Sequence, residues 1–116
     1  KYQNREDNME IKIKNAKMMR IYIKEQDERA HMKLYKFIVK KLKEHNISGA
    51  TIFKGINGYG ERGDVNIDII RLSMDLPVVI ECIDDIEKID KILVELVEIV
   101  GDNGLITVID VGIVSQ

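Results

Sequence analysis

The chain has 116 residues, of which 45% are hydrophobic and 33% charged, and its formal net charge is −2. This composition indicates one globular domain, and the slight negative charge argues against nucleic-acid binding, which needs a cationic surface. No apolar run approaches the ~20 residues that cross a bilayer, and the chain shows no signal-peptide pattern. We therefore expect a cytoplasmic protein without direct membrane insertion.

Cysteine and histidine are too scarce and too scattered to build a reactive centre. The single cysteine, Cys82, lies in the apolar run VVIECI and is expected to be a buried strand residue. His31 and His45 fall on one predicted helix, too far apart to share a metal ion there. We expect no metal site and no catalytic residue of these types.

Hydrophobic periodicity divides the chain into four strands, two helices and an arm. In chain order we predict a loose lead-in over 1–17, in which the alternation at Ile11–Lys14 allows a short edge strand, and then a strand over 18–24 and a helix over 30–45. A strand over 50–56, a strand-like arm over 64–73, a strand over 78–83, a helix over 84–101 and a strand over 105–114 follow. Asp84 and Glu87 have the spacing of a capping box at the start of the second helix. Its predicted apolar face consists of Ile86, Ile89, Leu93, Leu96, Val97 and Val100. Residues 18–116 are thus predicted to form a single domain.

The order of elements predicts an α+β, ferredoxin-like β-α-β-β-α-β sandwich. Its antiparallel sheet carries both helices on one face, and an extended arm interrupts it. The last strand is apolar on both faces, which indicates that the second face is covered as well. Other subunits are the favoured cover; the alternative is that the arm or the N-terminal segment folds over this face.

A glycine-rich stretch, FKGINGYGERG, follows the second strand and contains G-x-G-x-x-G at Gly58, Gly60 and Gly63. A dinucleotide site needs a helix directly after such a motif, but here the pattern that follows has the period of a strand. No G-K-[ST] of a Walker A motif occurs. Two interpretations stay open: a loop whose glycines adopt positive φ, or an anion site flanked by the cations Lys54 and Arg62.

The chain resembles the PII-like proteins long described as a domain of unknown function. The resemblance covers about residues 19–114, and its most specific parts are GATIFKGINGYGERG and IIRLSMDLPVVIECID, followed by a helix and GLITVIDV. It implies a ferredoxin-like protomer that forms a homotrimer with its sheets turned inward. It also implies that residues 57–76 correspond to the T-loop, through which PII proteins contact the transporters, channels or enzymes that they regulate.

The resemblance further implies an effector site for a small anionic ligand, an adenine nucleotide in the PII proteins, in clefts between subunits. The residues placed there by position are the T-loop base at Lys54, Gly55, Gly58, Tyr59 and Gly60, and the B-loop at Gly101, Asp102, Asn103 and Gly104. Leu105 stands where PII proteins carry a phosphate-binding lysine. Tyr59 lies at the start of the loop, so the tyrosine that PII proteins modify has no clear equivalent.

The main alternative is a small ferredoxin-like enzyme acting on a phosphorylated or acyl substrate. Acylphosphatases of this layout need a glycine-rich loop with an arginine directly after the first strand, whereas the corresponding stretch here, EQDERA, has no glycine. A metal chaperone of this fold would show C-x-x-C, which is absent, and Tyr22 and Phe53 are too few aromatics for an RNA-recognition surface. We therefore predict a regulatory protein rather than an enzyme, with a membrane transporter or channel as a candidate client and no nucleic-acid partner.

Overall fold

The computed structural model describes residues 2–4, 9–60, 63–66 and 75–116. Within them the strands are β1 (Tyr2–Asn4), β2 (Met9–Lys24), β3 (Glu28–Arg29), β4 (Met32–Lys33), β5 (Thr51–Lys54), β6 (Asn57–Gly60), β7 (Gly63–Asn66), β8 (Pro77–Asp84) and β9 (Leu105–Ser115). The helices are α1 (Leu34–Glu44) and α2 (Ile86–Val100), and a short 3₁₀ turn covers Gly101–Asn103.

The main sheet is antiparallel, with its principal strands in the order β9-β2-β8-β5 and β1 beside the first residues of β2. Consecutive strands of the chain are therefore not all neighbours, because each helix carries the chain across the sheet. Pro77 stands at the first position of β8, where its missing N–H does not interrupt the ladder. This arrangement confirms the predicted ferredoxin-like fold.

Both helices pack on one face of this sheet and bury its alternate residues. Strands β2 and β8 contribute every second side chain to the core, and each helix contributes residues three or four positions apart. The fully buried side chains of this core include Met19, Ile21, Val78, Ile80, Leu34, Ile38, Leu42, Ile89, Ile92 and Leu96. Cys82 is buried among them, as the sequence predicts.

The N-terminal part of the domain differs from the sequence prediction. Strand β2 begins at Met9 rather than Met18, so the loose lead-in predicted over 1–17 is wrong for residues 9–17. Lys12 to Ala16 pair with Ser115 to Val111 of β9 beyond the point where β8 ends. Lysines alternate with apolar residues there, and the partner strand that orders them lies almost a hundred residues away in the chain.

Helix α1 is shorter than predicted because it starts at Leu34 rather than Ala30. Ala30 and His31 have φ angles of 53° and 65°, which lie in the left-handed region and cannot open a right-handed helix. The two residues form the turn between β3 and β4. A short hairpin thus occupies the first turn of the predicted helix.

The capping box predicted for α2 is wrong, because Asp85 is the N-cap residue and no side chain caps the helix. Asp84 is buried instead, and its carboxylate accepts hydrogen bonds from Ser48 and from the Asp85 N–H. The buried face of α2 is also rotated from the prediction: Ile92 and Ile99 lie in the core, whereas Val97 is 63% exposed. No helix of the described residues is long and apolar enough to cross a membrane.

Candidate functional site

The glycine-rich stretch begins where β5 meets the start of β8. The Gly55 N–H donates to the Pro77 carbonyl oxygen at 2.7 Å. This bond joins the outgoing limb of the loop segment, which starts at Gly55, to its returning limb, which passes through Asp75 and Leu76 to Pro77. A Cβ at Gly55 would lie 2.7 Å from Pro77 Cγ, so this position excludes any side chain unless the proline ring shifts. Packing against Pro77 therefore explains why residue 55 is glycine. Neither Gly55 nor Gly58 adopts the positive φ that one interpretation of the glycine cluster requires.

Beyond Gly55 the chain forms a hairpin and not a strand-to-helix turn. Strand β6 pairs with β7, with Gly60 opposite Gly63 and Gly58 opposite Val65. Gly58, Gly60 and Gly63 of the G-x-G-x-x-G motif therefore lie on paired strands, and β7 rather than a helix begins at Gly63. Tyr59 is 88% exposed on this hairpin. Arg62, the second predicted cation, lies outside the described residues.

Lys54, the first predicted cation, is the last residue of β5 and projects beside the end of β2. Its ammonium group donates to Glu25 Oε2 at 2.5 Å, and the Lys54 side chain remains 53% exposed. The hydrogen bond to Glu25, followed by the charge of the same carboxylate, raises the pKa of Lys54 above its usual value. Lys54 is therefore a solvent-accessible cation that is paired with Glu25. Glu25 was not among the predicted site residues, since no local motif marks it.

The second predicted loop lies at the start of β9. Gly101 has φ of 52° and forms the 3₁₀ turn with Asp102 and Asn103, so its conformation favours glycine. Gly104 is extended, but a Cβ there would lie 2.2 Å from the Tyr22 carbonyl oxygen and 2.8 Å from Ile23 Cγ2. The Gly104 backbone thus lies directly against β2, where there is no room for a side chain. The positive φ at Gly101 and this close approach at Gly104 explain why both residues are glycine.

The two loops lie at the same end of the sheet but at opposite edges. Lys54 pairs with Val78 and Val78 with Ile23, while the neighbouring Tyr22 pairs with Leu105. Lys54 and the loop that ends at Leu105 are thus separated by the width of three strand spacings, ~14 Å at about 4.8 Å each. Within one chain the two predicted parts of the site do not meet. A cleft formed by both requires the β5 edge of one copy to approach the β9 edge of another.

The sheet face that points away from the helices carries many apolar side chains, and no element of the described residues packs over it. We call it the open face. Several large side chains are exposed on it: Tyr22 at 36%, Phe53 at 50%, Leu105 at 59% and Ile109 at 51%. Near its centre Arg20 Nε donates to Glu81 Oε1 at 2.8 Å. A face of this kind on a single chain is typical of an interaction surface.

A separate groove of about 420 Å³ runs between α1 and the β5 edge. Its lining is mainly apolar, with lysines of α1 at the rim: Tyr35, Lys36, Val39, Lys40, Lys43 and Ile52. Nothing in this groove resembles a catalytic constellation. Burial raises the pKa of the Cys82 thiol to about 11, so that thiol is protonated at neutral pH and is a poor nucleophile. Among the described residues no three His, Cys, Asp or Glu side chains converge on a metal position.

Comparison with solved structures shows that the chain has the fold of the PII-like proteins. It is similar to CPII, a nitrogen regulatory PII-like protein of Thiomonas intermedia K12 whose structure holds ADP, AMP and bicarbonate. The TM-score is 0.70 and the sequence identity 17%, and the match covers 88% of this chain and 91% of the CPII chain. It is also similar to a PII-like signaling protein of Thermus thermophilus, with a TM-score of 0.61, 20% identity and 92% and 93% covered. At these identities the similarity establishes the fold.

Sequence comparison gives the family. The family model DUF190, described as Uncharacterized ACR, matches residues 16–113, and the chain belongs to this family. A UPF0166 protein of Methanocaldococcus jannaschii is 50% identical over 95 residues, which cover 82% of this chain and 88% of that protein. A UPF0166 protein of Aquifex aeolicus is 34% identical over 105 residues, covering 90% and 98%. The resemblance to the PII-like family inferred from the sequence motifs is thereby confirmed.

Proposed function

We propose that the protein is a trimeric PII-like regulator that binds an adenine nucleotide between subunits and contacts a target protein through residues 57–76. The observation that carries this proposal is the position of the two loops at one end of the sheet, on opposite edges, with the apolar open face between them. Three copies that turn their open faces inward bury that surface and bring each β5 edge to a neighbouring β9 edge.

In the proposed cleft, Lys54 supplies a cation for a phosphate group, and Arg62 a second one. The backbone of Gly55 and of the hairpin residues Gly58, Tyr59 and Gly60 lines one side. The turn at Gly101, Asp102, Asn103 and Gly104 lines the other side, where exposed N–H groups of a tight turn suit an anion. Leu105 provides no charge at the position of the PII lysine, so this site relies on Lys54 and Arg62.

The nucleotide is supported by the related fold of CPII, whose structure contains ADP and AMP. A regulatory role is preferred to the alternative enzyme because, among the described residues, no three His, Cys, Asp or Glu side chains converge on a metal position and burial raises the pKa of the Cys82 thiol to about 11. A membrane transporter or channel is the client class that we propose, because the resemblance to PII proteins implies it. Tyr59, 88% exposed on the hairpin that opens residues 57–76, is accessible for such a contact.

Two measurements test the proposal together. Sedimentation equilibrium at micromolar concentration is expected to give a trimer, and calorimetric titration with ADP, AMP and ATP is expected to give saturable heats near one nucleotide per chain. A stable single chain, or uniformly absent heats with no thermal shift, contradicts it. Turnover of an acyl phosphate would instead favour the enzyme.

A further inference from the structure

The residues that follow β2 hold the returning limb of the loop segment. The Glu25 N–H donates to the Leu76 carbonyl oxygen at 2.8 Å, and the Gln26 N–H donates to Asp75 Oδ1 at 2.8 Å. Leu76 is buried, so the returning limb is anchored by packing as well. The end of β2 therefore fixes where the segment re-enters the sheet.

The outgoing limb is held by the same residue through its side chain. Lys54 donates to Glu25 Oε2 at 2.5 Å, directly before Gly55. Glu25 thus binds one limb with its backbone and the other with its carboxylate. A further link between the limbs is the hydrogen bond from the Gly55 N–H to the Pro77 carbonyl oxygen.

The contact between Glu25 and Lys54 competes with the proposed role of Lys54. An anion placed at the Lys54 ammonium lies within a few ångströms of the Glu25 carboxylate, and two negative charges at such a distance repel each other. The pair is also partly solvated, with 53% of the Lys54 side chain and 21% of the Glu25 side chain exposed. Exposed pairs of this kind are weak enough to exchange partners.

We propose that Glu25 is a clasp that couples the anion site to the loop, an inference that rests on the proposed nucleotide site. Without ligand, Glu25 holds Lys54 and ties the outgoing limb to the returning limb. When a phosphate group binds the Lys54 ammonium, the Glu25 carboxylate loses its hydrogen-bond partner. The outgoing limb is then no longer tied to the returning limb through Glu25. Because coupling between two sites is reciprocal, a partner that favours the released limb also raises nucleotide affinity.

The ligand-free arm of the test measures amide exchange by mass spectrometry on the full chain. In Glu25→Gln the backbone amides of Gly55 and of residue 25 are expected to exchange about five- to tenfold faster than in the wild type, because the Glu25–Lys54 pair no longer holds the two limbs together. A factor of this size is at the lower end of the coupling energies usual between two sites. Glu25→Ala, which removes even a neutral acceptor, is expected to give the same change or a larger one. Asp90→Asn is the matched control, since it breaks the 2.6 Å Lys17–Asp90 pair far from the loop, and it is expected to leave both amides unchanged.

The ligand arm uses ADP. Saturating ADP is expected to speed exchange at the same amides in the wild type but to add little in Glu25→Gln, which is expected to bind ADP about five- to tenfold more tightly. If the Gly55 amide exchanges at the wild-type rate in both Glu25→Gln and Glu25→Ala, Glu25 does not hold the loop and the proposal is wrong. Equal ADP affinity in wild type and Glu25→Gln overturns the coupling while the nucleotide site stands. ADP binding to neither protein overturns the nucleotide site and the coupling with it, whereas the ligand-free arm still decides whether Glu25 holds the loop.

Discussion

Ser48 donates two hydrogen bonds to one carboxylate oxygen of Asp84, at 2.8 Å from its backbone N–H and 3.1 Å from its hydroxyl group. The other oxygen accepts the Asp85 N–H at 2.7 Å, and only 5% of Asp84 is exposed. The contact fastens the loop after α1 to the end of β8 and the start of α2. It therefore links the two halves of the ferredoxin-like fold.

Asp84→Asn is expected to destabilise the protein by about 1–3 kcal/mol, because the amide has one acceptor oxygen in place of two. Its NH2 group then faces either the Ser48 N–H or the Asp85 N–H and leaves that donor unpaired. Chemical unfolding followed by circular dichroism measures the loss. Asp90→Asn, at a half-exposed position on α2, serves as control and is expected to change stability by less than about 0.5 kcal/mol. A loss no larger than in the control contradicts the role given to Asp84.

The same carboxylate predicts a specific pH dependence. Burial raises the pKa of Asp84, but the hydrogen bonds from Ser48 and Asp85, with the Lys88 charge, outweigh it and leave the pKa below its ordinary value of 3.8. A lowered folded-state pKa contributes stability that is complete above the unfolded value and is lost as pH falls through the folded value. The stability gap between wild type and Asp84→Asn is thus expected to be constant from pH 5 to 7 and to shrink below about pH 4. A gap that widens on acidification would show that the carboxyl group is stabilised in its protonated form.

Periodicity predicted the fold because each core strand and helix buries its own regular set of residues. The predictions that went wrong depend on contacts between distant parts of the chain. Residues 9–17 form a strand through pairing with β1 at Met9–Ile11 and with β9 from Lys12 onward. The Asp84 carboxylate bonds to Ser48 instead of capping α2. The hairpin before α1 depends on positive φ at Ala30 and His31, which neither residue type indicates.

The candidate site itself stays a prediction, and the sequence could indicate only those of its residues that belong to local motifs. The glycines and Lys54 form local motifs, and the structure places them at one sheet end. Glu25 carries no motif, since its importance arises only when the ends of β2 and β5 come together. The register between β5, β8, β2 and β9 also has to be known before the loops are seen to occupy opposite edges.

Gly104→Ala tests whether the close approach of the 101–104 loop to β2 is required. The new Cβ would lie 2.2 Å from the Tyr22 carbonyl oxygen, so backbone has to move, and we expect a loss of about 1–3 kcal/mol. Gly49→Ala is the matched control, because its added Cβ meets no atom within 4 Å and its φ is not positive. That variant is expected to be neutral or slightly stabilising. Equal thermal midpoints for the two variants contradict the packing argument.

Lys54→Gln tests the anion site without altering the fold. Loss of the ammonium group removes a charge-assisted hydrogen bond to phosphate, and ADP affinity is expected to fall about tenfold in calorimetric titration. Lys91→Gln, at an exposed position on α2, is the control with the same change of charge and is expected to bind as the wild type does. Because the Lys54 side chain is half-exposed, the thermal midpoint of Lys54→Gln is expected to stay close to that of Lys91→Gln. Unchanged ADP affinity in Lys54→Gln places the phosphate elsewhere.

Ile109→Asp tests whether the open face is buried between copies. Ile109 is 51% exposed on the open face of a single chain, opposite Met18 in β2, so a carboxylate there can remain solvated in an isolated protomer. Between subunits the same carboxylate loses its water without gaining a partner, which is costly. Val94→Asp is the control, because Val94 is 76% exposed on α2, at the helix layer on the opposite side of the sheet. Sedimentation velocity is expected to give three times the 13.3 kDa chain mass for wild type and control, and a single chain that keeps its circular dichroism spectrum for Ile109→Asp. A variant that still sediments as the wild type does means that subunits do not meet through this face.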